Sequence, residues 1–328
     1  MASDTDTVAK MTSIDNSATK ALETMILGEK DEKSPKSIKL KLFSPFDNDY
    51  HRHWEHRLMS KSKVWTSHGI SLTWVHDANE ADYHILQNKL GGIGQYNPKK
   101  GLQLRMEPDV HYQMYDDYFD KKSNKFIHSF TDHNSIEWHV NQTYDQLKED
   151  IRSDQPCYKK DKLISAIISG HSHRDAYKMR HDFASYLASI KGFDLYGRDK
   201  LDLYCYKGSL PYMNKDSGLL PYKYTFASEN CVEKGYFTEK IVDAILCECL
   251  CFYWGCPNIS EFIDERAYIW IDLTKPEEAI KVIRKAIKDD EYSKRLPYIK
   301  LAKKKIIDEL QIMPSLAKVI SELEAKKS

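Results

Sequence analysis

The sequence predicts an α/β fold with mostly parallel sheets, divided between two domains. Short apolar segments alternate with segments of helical spacing along most of the chain, which is typical of βαβ units. The continuous apolar run at residues 163–170 has the composition of a parallel strand that is covered on both faces. A length of 328 residues is enough for two hydrophobic cores.

Residues 1–36 are rich in Ser, Thr, Asp and Lys and lack sustained apolar periodicity, which predicts a disordered tail. An N-terminal α/β domain is expected over residues 37–150, because its apolar segments alternate as strands do. Its strands are predicted at residues 37–43, 70–75, 82–87, 102–107 and 126–131. The polar segment 151–161, which contains Pro156, is predicted to be a linker.

A C-terminal α/β domain is expected over residues 162–275, because strand-like and helix-like segments alternate again. Its strands are predicted at residues 163–170, 193–197, 222–227, 250–255 and 267–273, and its helices at 175–190 and 238–247. Residues 276–328 are predicted to form a charged helical extension, with breaks at Pro297 and Pro314.

Composition argues against several classes of protein. Lysine plus arginine equals aspartate plus glutamate, 49 each, so a basic field for nucleic acid is not expected. The sequence lacks a run of about eighteen apolar residues, so no membrane-spanning helix is predicted. The N-terminus does not have the pattern of a signal peptide. Seven cysteines are an odd number, and five fall within residues 231–256 in apolar surroundings. Reduced thiols and a cytoplasmic location are therefore predicted.

The strongest functional signal lies at the start of the predicted helix that follows residue 237. Thr238 has the position of an N-cap, and Glu239 and Lys240 occupy the first turn. Free N–H groups at such a terminus, together with Lys240, suit a phosphate, and an ionised Glu239 can accept hydrogen bonds from sugar hydroxyls. By helix statistics alone, a capped helix start with solvated charges is the commoner explanation of this pattern. Two further polar residues end the preceding strand: Glu229 and Asn230.

Three sequence blocks occur in order around this helix start: FASEN, YFTEKIVDAI and FYWGCPN. They resemble the donor-binding signature of the family 10 glycosyltransferases, the α-1,3/1,4-fucosyltransferases. Further blocks of residues resemble that family at 167–187, 193–198 and, more weakly, 80–85 and 102–109. The family often has FENS where this chain has SENC, and a proline where this chain has Leu250–Cys251.

The resemblance implies a GT-B fold, in which two Rossmann-like domains face each other across the active site. It implies an inverting enzyme that transfers L-fucose from GDP-fucose to a sugar hydroxyl, without a metal or another cofactor. Its partners would be the nucleotide sugar and a glycan acceptor, with no nucleic acid. Glu107 matches the family's proposed catalytic base. The donor-binding residues implied by the motif are Arg180, Glu229, Asn230, Tyr236, Glu239 and Lys240.

Several alternatives stay open at this point. A GT-B enzyme with another nucleotide sugar, or a non-catalytic nucleotide- or glycan-binding relative, fits the same motifs. Glu137 and Asp109 are the alternatives to Glu107, and Arg174 is the alternative to Arg180. Lysines 303–305 are predicted to be a solvated helix face, with contact to an anionic membrane surface as the alternative. Aromatic residues that could stack on an acceptor sugar are Tyr50, Trp54, Tyr112, Tyr115 and Tyr118.

Overall fold

A computed structural model describes most of the chain. The described residues are 34–46, 50–88, 94–108, 128–129, 136–151, 155–168, 175–198 and 202–327. Residues 36–328 belong to one compact unit, which contains two six-stranded sheets. Within the described ranges, no helix has both the length and the apolar character needed to cross a membrane.

The first sheet is built from the N-terminal half of the chain. Its strand order is β2-β3-β1-β4-β5-β6, and every neighbouring pair is parallel except β2 with β3. The strands are β1 (Lys36–Phe43), β2 (Trp65–Ser67), β3 (Ile70–Trp74), β4 (Tyr83–Gln87), β5 (Gly101–Leu104) and β6 (His128–Ser129). Two helices accompany this sheet: α1 (His51–Leu58) and α2 (Tyr144–Asp150).

The second sheet is entirely parallel and has the order β12-β11-β10-β7-β8-β9. Its strands are β7 (Lys162–Ile167), β8 (Phe193–Tyr196), β9 (Tyr206–Gly208), β10 (Tyr222–Ser228), β11 (Leu250–Trp254) and β12 (Tyr268–Trp270). Its helices are α3 (Asp175–Ala188), α4 (Asp216–Leu219), α5 (Glu239–Leu246), α6 (Pro276–Lys288) and α7 (Glu291–Lys305), and α8 (Ile312–Ala325) follows.

The C-terminal helix α8 returns to the first sheet. It packs against β2 and β3, so the C-terminal end of the chain contacts the sheet that the N-terminal half forms. Gln311, just before this helix, is fully buried and forms a β-bridge with Ile136. Its side-chain amide also donates to the Leu58 carbonyl at 3.1 Å. These contacts fix the C-terminal helix against the N-terminal half of the chain.

Each strand predicted from the apolar pattern has a counterpart in the structure, and the α/β fold class with mostly parallel sheets is confirmed. The pattern missed β2 and β9, which are three-residue strands at sheet edges and too short to show periodicity. It also placed the end of β5 too late. Because β5 ends at Leu104, Glu107 lies in the loop beyond the strand.

Two expectations about the C-terminal helices were wrong. Helix α7 continues through Pro297, because one lost N–H bond is outweighed by the burial of Tyr292, Leu296 and Ile299 along the same helix. Pro314 lies in the first turn of α8, where its missing N–H needs no intrahelical partner.

Lys303 was expected to be solvated and is instead completely buried. Its ammonium lies 3.1 Å from Glu248 Oε1 and 3.0 Å from Asp150 Oδ2. Lys300 approaches the same Glu248 carboxylate at 3.2 Å, and the backbone N–H of Cys157 donates to it at 2.9 Å. This cluster ties α7 to α2, to the end of α5 and to the segment that connects the two sheets.

The charge on Glu248 is expected to stabilise the fold. Glu248→Gln leaves two buried lysines without their shared carboxylate, and breaking a buried ion pair costs about 3–5 kcal/mol of unfolding free energy. Urea unfolding followed by circular dichroism measures the loss. The matched control, Asp289→Asn, breaks an exposed pair with Lys285 and should leave the midpoint unchanged. A Glu248→Gln protein with wild-type stability would contradict the assignment.

Acid should remove this contribution. Burial alone raises the pKa of Glu248, but Lys303, Lys300 and the Cys157 N–H outweigh it and hold that pKa below the usual range. A carboxylate with a lowered folded-state pKa contributes stability above its unfolded pKa of about 4.3 and loses it as the pH falls. The stability difference between wild type and Glu248→Gln should therefore be constant near neutrality and shrink below about pH 4.3.

Candidate active site

The carboxyl ends of both sheets border one cleft. In the second sheet, β8 and β10 lie on opposite sides of β7, and a crevice forms outside the carboxyl ends of strands at such a reversal. In the first sheet the same reversal occurs at β1, between β3 and β4. Two adjoining cavities occupy the cleft, and they share four lining residues: His139, Asn230, Glu239 and Lys240.

The first of them, which we call the carboxylate cavity, has a volume of about 290 Å³ and is lined by both halves of the chain. Its carboxylates are Glu107, Glu137 and Glu239. From the first sheet come Gln87 and Asn88 at the end of β4 and the loop after β5. From the second half come Tyr212, Asn230, Tyr236, Phe237, Thr238, Glu239 and Lys240.

The second, which we call the basic cavity, has a volume of about 330 Å³. Four cationic side chains and a single carboxylate line it, so its net charge is strongly positive. The cations are Arg180, Arg198, Lys215 and Lys240, and the carboxylate is Glu239. A pocket of this composition at the carboxyl ends of β7 and β10 suits an anion with several oxygens, such as a diphosphate.

Arg180 reaches the basic cavity from α3. Its side chain is buried, and its guanidinium lies 4.3 Å from the centre of the Tyr177 ring. Burial lowers the pKa of Arg180, against the attraction of Tyr177, Glu229 and Glu239. An arginine pKa remains far above neutrality even so, and the planar fork is suited to a bidentate contact with phosphate oxygens.

Glu229 lies behind the cavity wall and is completely buried. Its carboxylate accepts hydrogen bonds from the Thr238 N–H at 2.9 Å and the Thr238 hydroxyl at 2.8 Å. The ammonium of Lys240 lies 3.1 Å from it, and the Tyr253 hydroxyl donates at 3.3 Å. We call Glu229 with Thr238, Lys240 and Tyr253 the Glu229 clamp. It joins the end of β10 to the first turn of α5 and fixes where the Lys240 charge lies.

Gly255 follows β11 and leaves room for the clamp. A Cβ atom at this position would lie 2.5 Å from Glu229 Cγ and 2.7 Å from the Tyr253 hydroxyl. No side chain can be added there unless the buried carboxylate moves. The glycine of the FYWGCPN block is therefore explained by the close approach of Glu229.

Lys240 and Glu239 line both cavities, and each lies between side chains of opposite charge. Burial opposes the charge on Lys240, but Glu229 and Glu239 raise its pKa. Burial alone would raise the pKa of Glu239, yet Lys240 and Lys215 hold it well below the usual range. Both groups are thus ionised at neutral pH. Lys215 lies 3.4 Å from Glu239 and 2.7 Å from the buried Asp243.

Glu107 and Tyr236 lie in the carboxylate cavity, as the sequence predicted for a shared site. Tyr236 is buried, and burial, followed by the charges of Glu229 and Glu107, raises the pKa of its phenol well above normal. Tyr236 therefore lines the carboxylate cavity as a neutral hydroxyl. Asn230 borders both cavities.

Glu137, the alternative to Glu107, lines the same cavity, but its oxygens already have partners. Tyr50 donates to Oε1 at 2.9 Å, and Trp54 donates to Oε2 at 2.7 Å. His139 Nε2 lies 3.5 Å from Oε1. Burial raises the pKa of Glu137, and these groups, with His139 the strongest, lower it below normal. Glu137 is an ionised anchor for three neighbours.

Three site residues could not be found from the sequence: Lys215, His139 and Ser228. Lys215 precedes a four-residue helix, and His139 belongs to a segment without regular structure, so neither carries a motif. The Lys215 backbone N–H donates to the His139 carbonyl at 3.0 Å, and the His139 N–H donates to Asp243 at 2.8 Å. Ser228 lines the basic cavity, and its buried hydroxyl has no hydrogen-bond partner among the described residues.

Other sequence candidates are placed differently. Trp54 is buried in the core, where it cannot stack on a ligand, and Tyr50 is buried with its hydroxyl on Glu137. The alternatives Arg174 and Asp109, and the aromatic residues Tyr112, Tyr115 and Tyr118, lie outside the described residues. Cys247, Cys249 and Cys251 are buried free thiols, as predicted.

Two doubly wound parallel sheets whose carboxyl ends border a common cleft define a GT-B glycosyltransferase architecture, which confirms the predicted fold class. Residues 157–312 match the family model described as glycosyltransferase family 10 (fucosyltransferase), C-terminal part. This match covers just under half of the chain, and it confirms the resemblance that the three sequence blocks carry.

The chain is also similar to three individual proteins. An α-(1,3)-fucosyltransferase from Helicobacter pylori is 33% identical over 72 residues, which are 22% of this chain and 15% of that protein. The chain thus matches a small part of the length of this curated relative. Among solved structures, an α1,3-fucosyltransferase is 18% identical, with 88% of this chain and 94% of that chain covered and a TM-score of 0.48. An α1,3-fucosyltransferase with GDP-fucose is 16% identical, with 90% and 94% covered and a TM-score of 0.44.

The Glu229 clamp predicts a defined stability loss. Glu229→Gln removes the buried carboxylate of the pair with Lys240, which is 20% exposed and keeps Glu239 at 3.5 Å, and should lower the unfolding free energy by about 3 kcal/mol. Gly255→Ala should lower it by about 1–3 kcal/mol, because the carboxylate must shift to admit the methyl group. Urea unfolding measures both.

Hydrogen exchange locates the effect. In both variants the amides of the first turn of α5 should exchange faster, because the two hydrogen bonds from Thr238 to the Glu229 carboxylate are disrupted by an amide or by displacement of the carboxylate. Glu261→Gln, which alters an exposed 3₁₀ turn in the same half, is the control. Wild-type exchange at α5 in both clamp variants would contradict this role for Glu229.

Proposed function

We propose that the protein is a fucosyltransferase that transfers L-fucose from GDP-fucose to a hydroxyl of a glycan acceptor with inversion of the anomeric centre. The observation that carries the proposal is the junction of the two cavities. A strongly positive pocket adjoins a cavity with carboxylates from the opposite half of the chain. The family match over residues 157–312 supports fucosyl transfer as the reaction.

The basic cavity is the proposed site of the diphosphate. Arg180 would bind two of its oxygens through the guanidinium fork, and Lys240 and Lys215 would add charge next to the leaving group. Ser228 has a buried hydroxyl available for a further phosphate or ribose oxygen. Glu239, held ionised by its lysine neighbours, and Asn230 would accept or donate hydrogen bonds to the sugar hydroxyls at the junction.

Glu107 is the proposed general base. It would take the proton of the attacking acceptor hydroxyl while that oxygen bonds to the anomeric carbon on the face opposite the diphosphate. The bond from the anomeric carbon to the phosphate oxygen breaks at the same time, and its electron pair leaves with GDP. Tyr236 and Glu229 complete the proposed donor site, Tyr236 as a cavity hydroxyl and Glu229 by positioning Thr238 and Lys240.

The proposal includes reaction without a metal or another cofactor, because cationic side chains supply the charge that a developing diphosphate anion requires. The partners are then a nucleotide sugar and a glycan, and no nucleic acid. A cytoplasmic location is also proposed, and the seven free thiols support a reducing compartment.

Two variants separate binding from chemistry. Glu107→Gln should keep wild-type affinity for GDP and reduce fucosyl transfer by about 10²–10⁴-fold, because it removes only the base. Arg180→Lys keeps the charge but loses the fork, and should weaken GDP binding by about tenfold or more. Calorimetric titration with GDP and a transfer assay with GDP-fucose give the two readouts.

The control is His56→Gln, which changes an exposed position on α1 and should affect neither readout. Transfer at the wild-type rate by Glu107→Gln would contradict the assignment of the base. In that case Glu137→Gln tests the remaining carboxylate that lines the cavity from the first half. Unchanged GDP affinity in Arg180→Lys would contradict the assignment of the diphosphate site.

A further inference from the structure

Two exposed aromatic side chains flank the carboxylate cavity. Among the described residues, exposed large apolar side chains are few, and Phe46 and Tyr212 are two of them, with 58% and 70% of their surface accessible. Both line this cavity. Phe46 follows β1 in the first half, and Tyr212 precedes α4 in the second half. A single exposed ring is ordinary, but two that line one polar cavity present apolar faces to whatever enters it.

The two rings are connected through Tyr50. The Phe46 ring centre lies 5.5 Å from that of Tyr50. Tyr212 is close enough to Tyr50 to contribute electrostatically to the raised pKa of the Tyr50 phenol, after burial and Glu137. Tyr50 donates to Glu137, so this carboxylate and the aromatic wall form one unit. Arg198 lies 5.5 Å from the Tyr212 ring centre and also lines the basic cavity.

A second observation points to a ligand rich in hydroxyl groups. Gln87 is completely buried at the end of β4 and lines the same cavity. Its Nε2 donates to the Met106 sulfur at 3.0 Å, while its Oε1 has no hydrogen-bond partner among the described residues. A buried carbonyl oxygen that borders a cavity is a ready acceptor for a hydroxyl donor. Aromatic faces beside hydroxyl-binding groups match a pyranose ring, which has an apolar C–H face and a polar rim.

We propose that Phe46 and Tyr212 form a two-sided stacking site for the acceptor sugar, with contributions from both halves of the chain. The inference rests on the proposed function, since it names how the acceptor of that reaction is held. In this arrangement the acceptor contacts Phe46 in the N-terminal half and also Tyr212 in the proposed nucleotide-binding half. Gln87 Oε1 orients a hydroxyl of the bound ring.

The test uses the full-length protein with lactose and N-acetyllactosamine as probe sugars. Saturation-transfer NMR measures sugar binding, and calorimetry with GDP measures the donor site. Phe46→Ala and Tyr212→Ala should each weaken sugar binding by about five- to tenfold, which corresponds to the loss of one ring contact. Tyr212→Phe keeps the ring and should restore binding. GDP affinity should stay unchanged in Phe46→Ala, which lines only the carboxylate cavity, and in Tyr212→Phe, which keeps the ring beside Arg198.

The matched control is Tyr204→Ala, which removes a tyrosine that is 83% exposed and lines neither cavity. Sugar binding weakened in the two alanine variants and restored in Tyr212→Phe, with GDP affinity intact in Phe46→Ala, supports the inference. Wild-type sugar affinity in both alanine variants, or no sugar binding by the wild type, overturns it. Sugar binding through the two rings without any affinity for GDP would leave the inference standing and contradict the proposed donor.

Discussion

The carboxylate of Glu229 has no access to solvent, and a buried charge of this kind is stable only when surrounding groups compensate it. Here the compensation comes from the Thr238 N–H and hydroxyl, the Lys240 ammonium and the Tyr253 hydroxyl. The first turn of α5 is therefore bound to the end of β10 by one side chain. The geometry of the cleft on the side of the second sheet depends on this link, because Lys240 and Glu239 extend into the cleft from that turn.

The cleft divides into two electrostatic environments that meet at this turn. On one side Arg180, Arg198 and Lys215 join Lys240 around a pocket that suits a leaving diphosphate. On the other side the carboxylates of Glu107 and Glu137 come from the first half of the chain. Glycosyl transfer needs this separation, because negative charge develops on the leaving group while a base acts on the attacking hydroxyl. The parallel sheets supply it, since their carboxyl ends border the same cleft.

The sequence was informative where local composition determines structure. The apolar runs of β7, β10 and β11 are buried strands, and the Thr238 cap with the helix of α5 was located from the N-cap pattern. The edge strands β2 and β9 were not predicted, because three residues are too few to show the alternation of apolar and polar residues that marks a strand. Pro297 was misjudged because tertiary packing can outweigh one missing hydrogen bond.

The sequence motifs located those residues of the candidate site that belong to the motifs themselves. Asn230, Glu239 and Lys240 line the cavities, but the motif did not reveal that Glu229 is turned away from them. Lys215 and His139 could not be found, because only the packing of two distant segments against Asp243 brings them to the junction. The sequence suggested Tyr50 and Trp54 as residues that stack on a sugar, but the exposed aromatic residues beside the cavity are Phe46 and Tyr212. The type of an aromatic residue does not indicate whether its side chain is buried.

The most direct test of the account is a thermal-shift titration of the purified protein with GDP, UDP, CMP and ADP in the presence of EDTA. A ligand that binds only the folded state raises the melting temperature, and the shift grows with the logarithm of the ligand concentration divided by Kd. The account predicts selective stabilisation by GDP that persists with the chelator, since side chains supply the charge at the basic cavity. Stabilisation by UDP but not GDP would indicate a different nucleotide sugar. No shift with any of the four nucleotides would contradict the central claim that this cavity binds a nucleotide diphosphate.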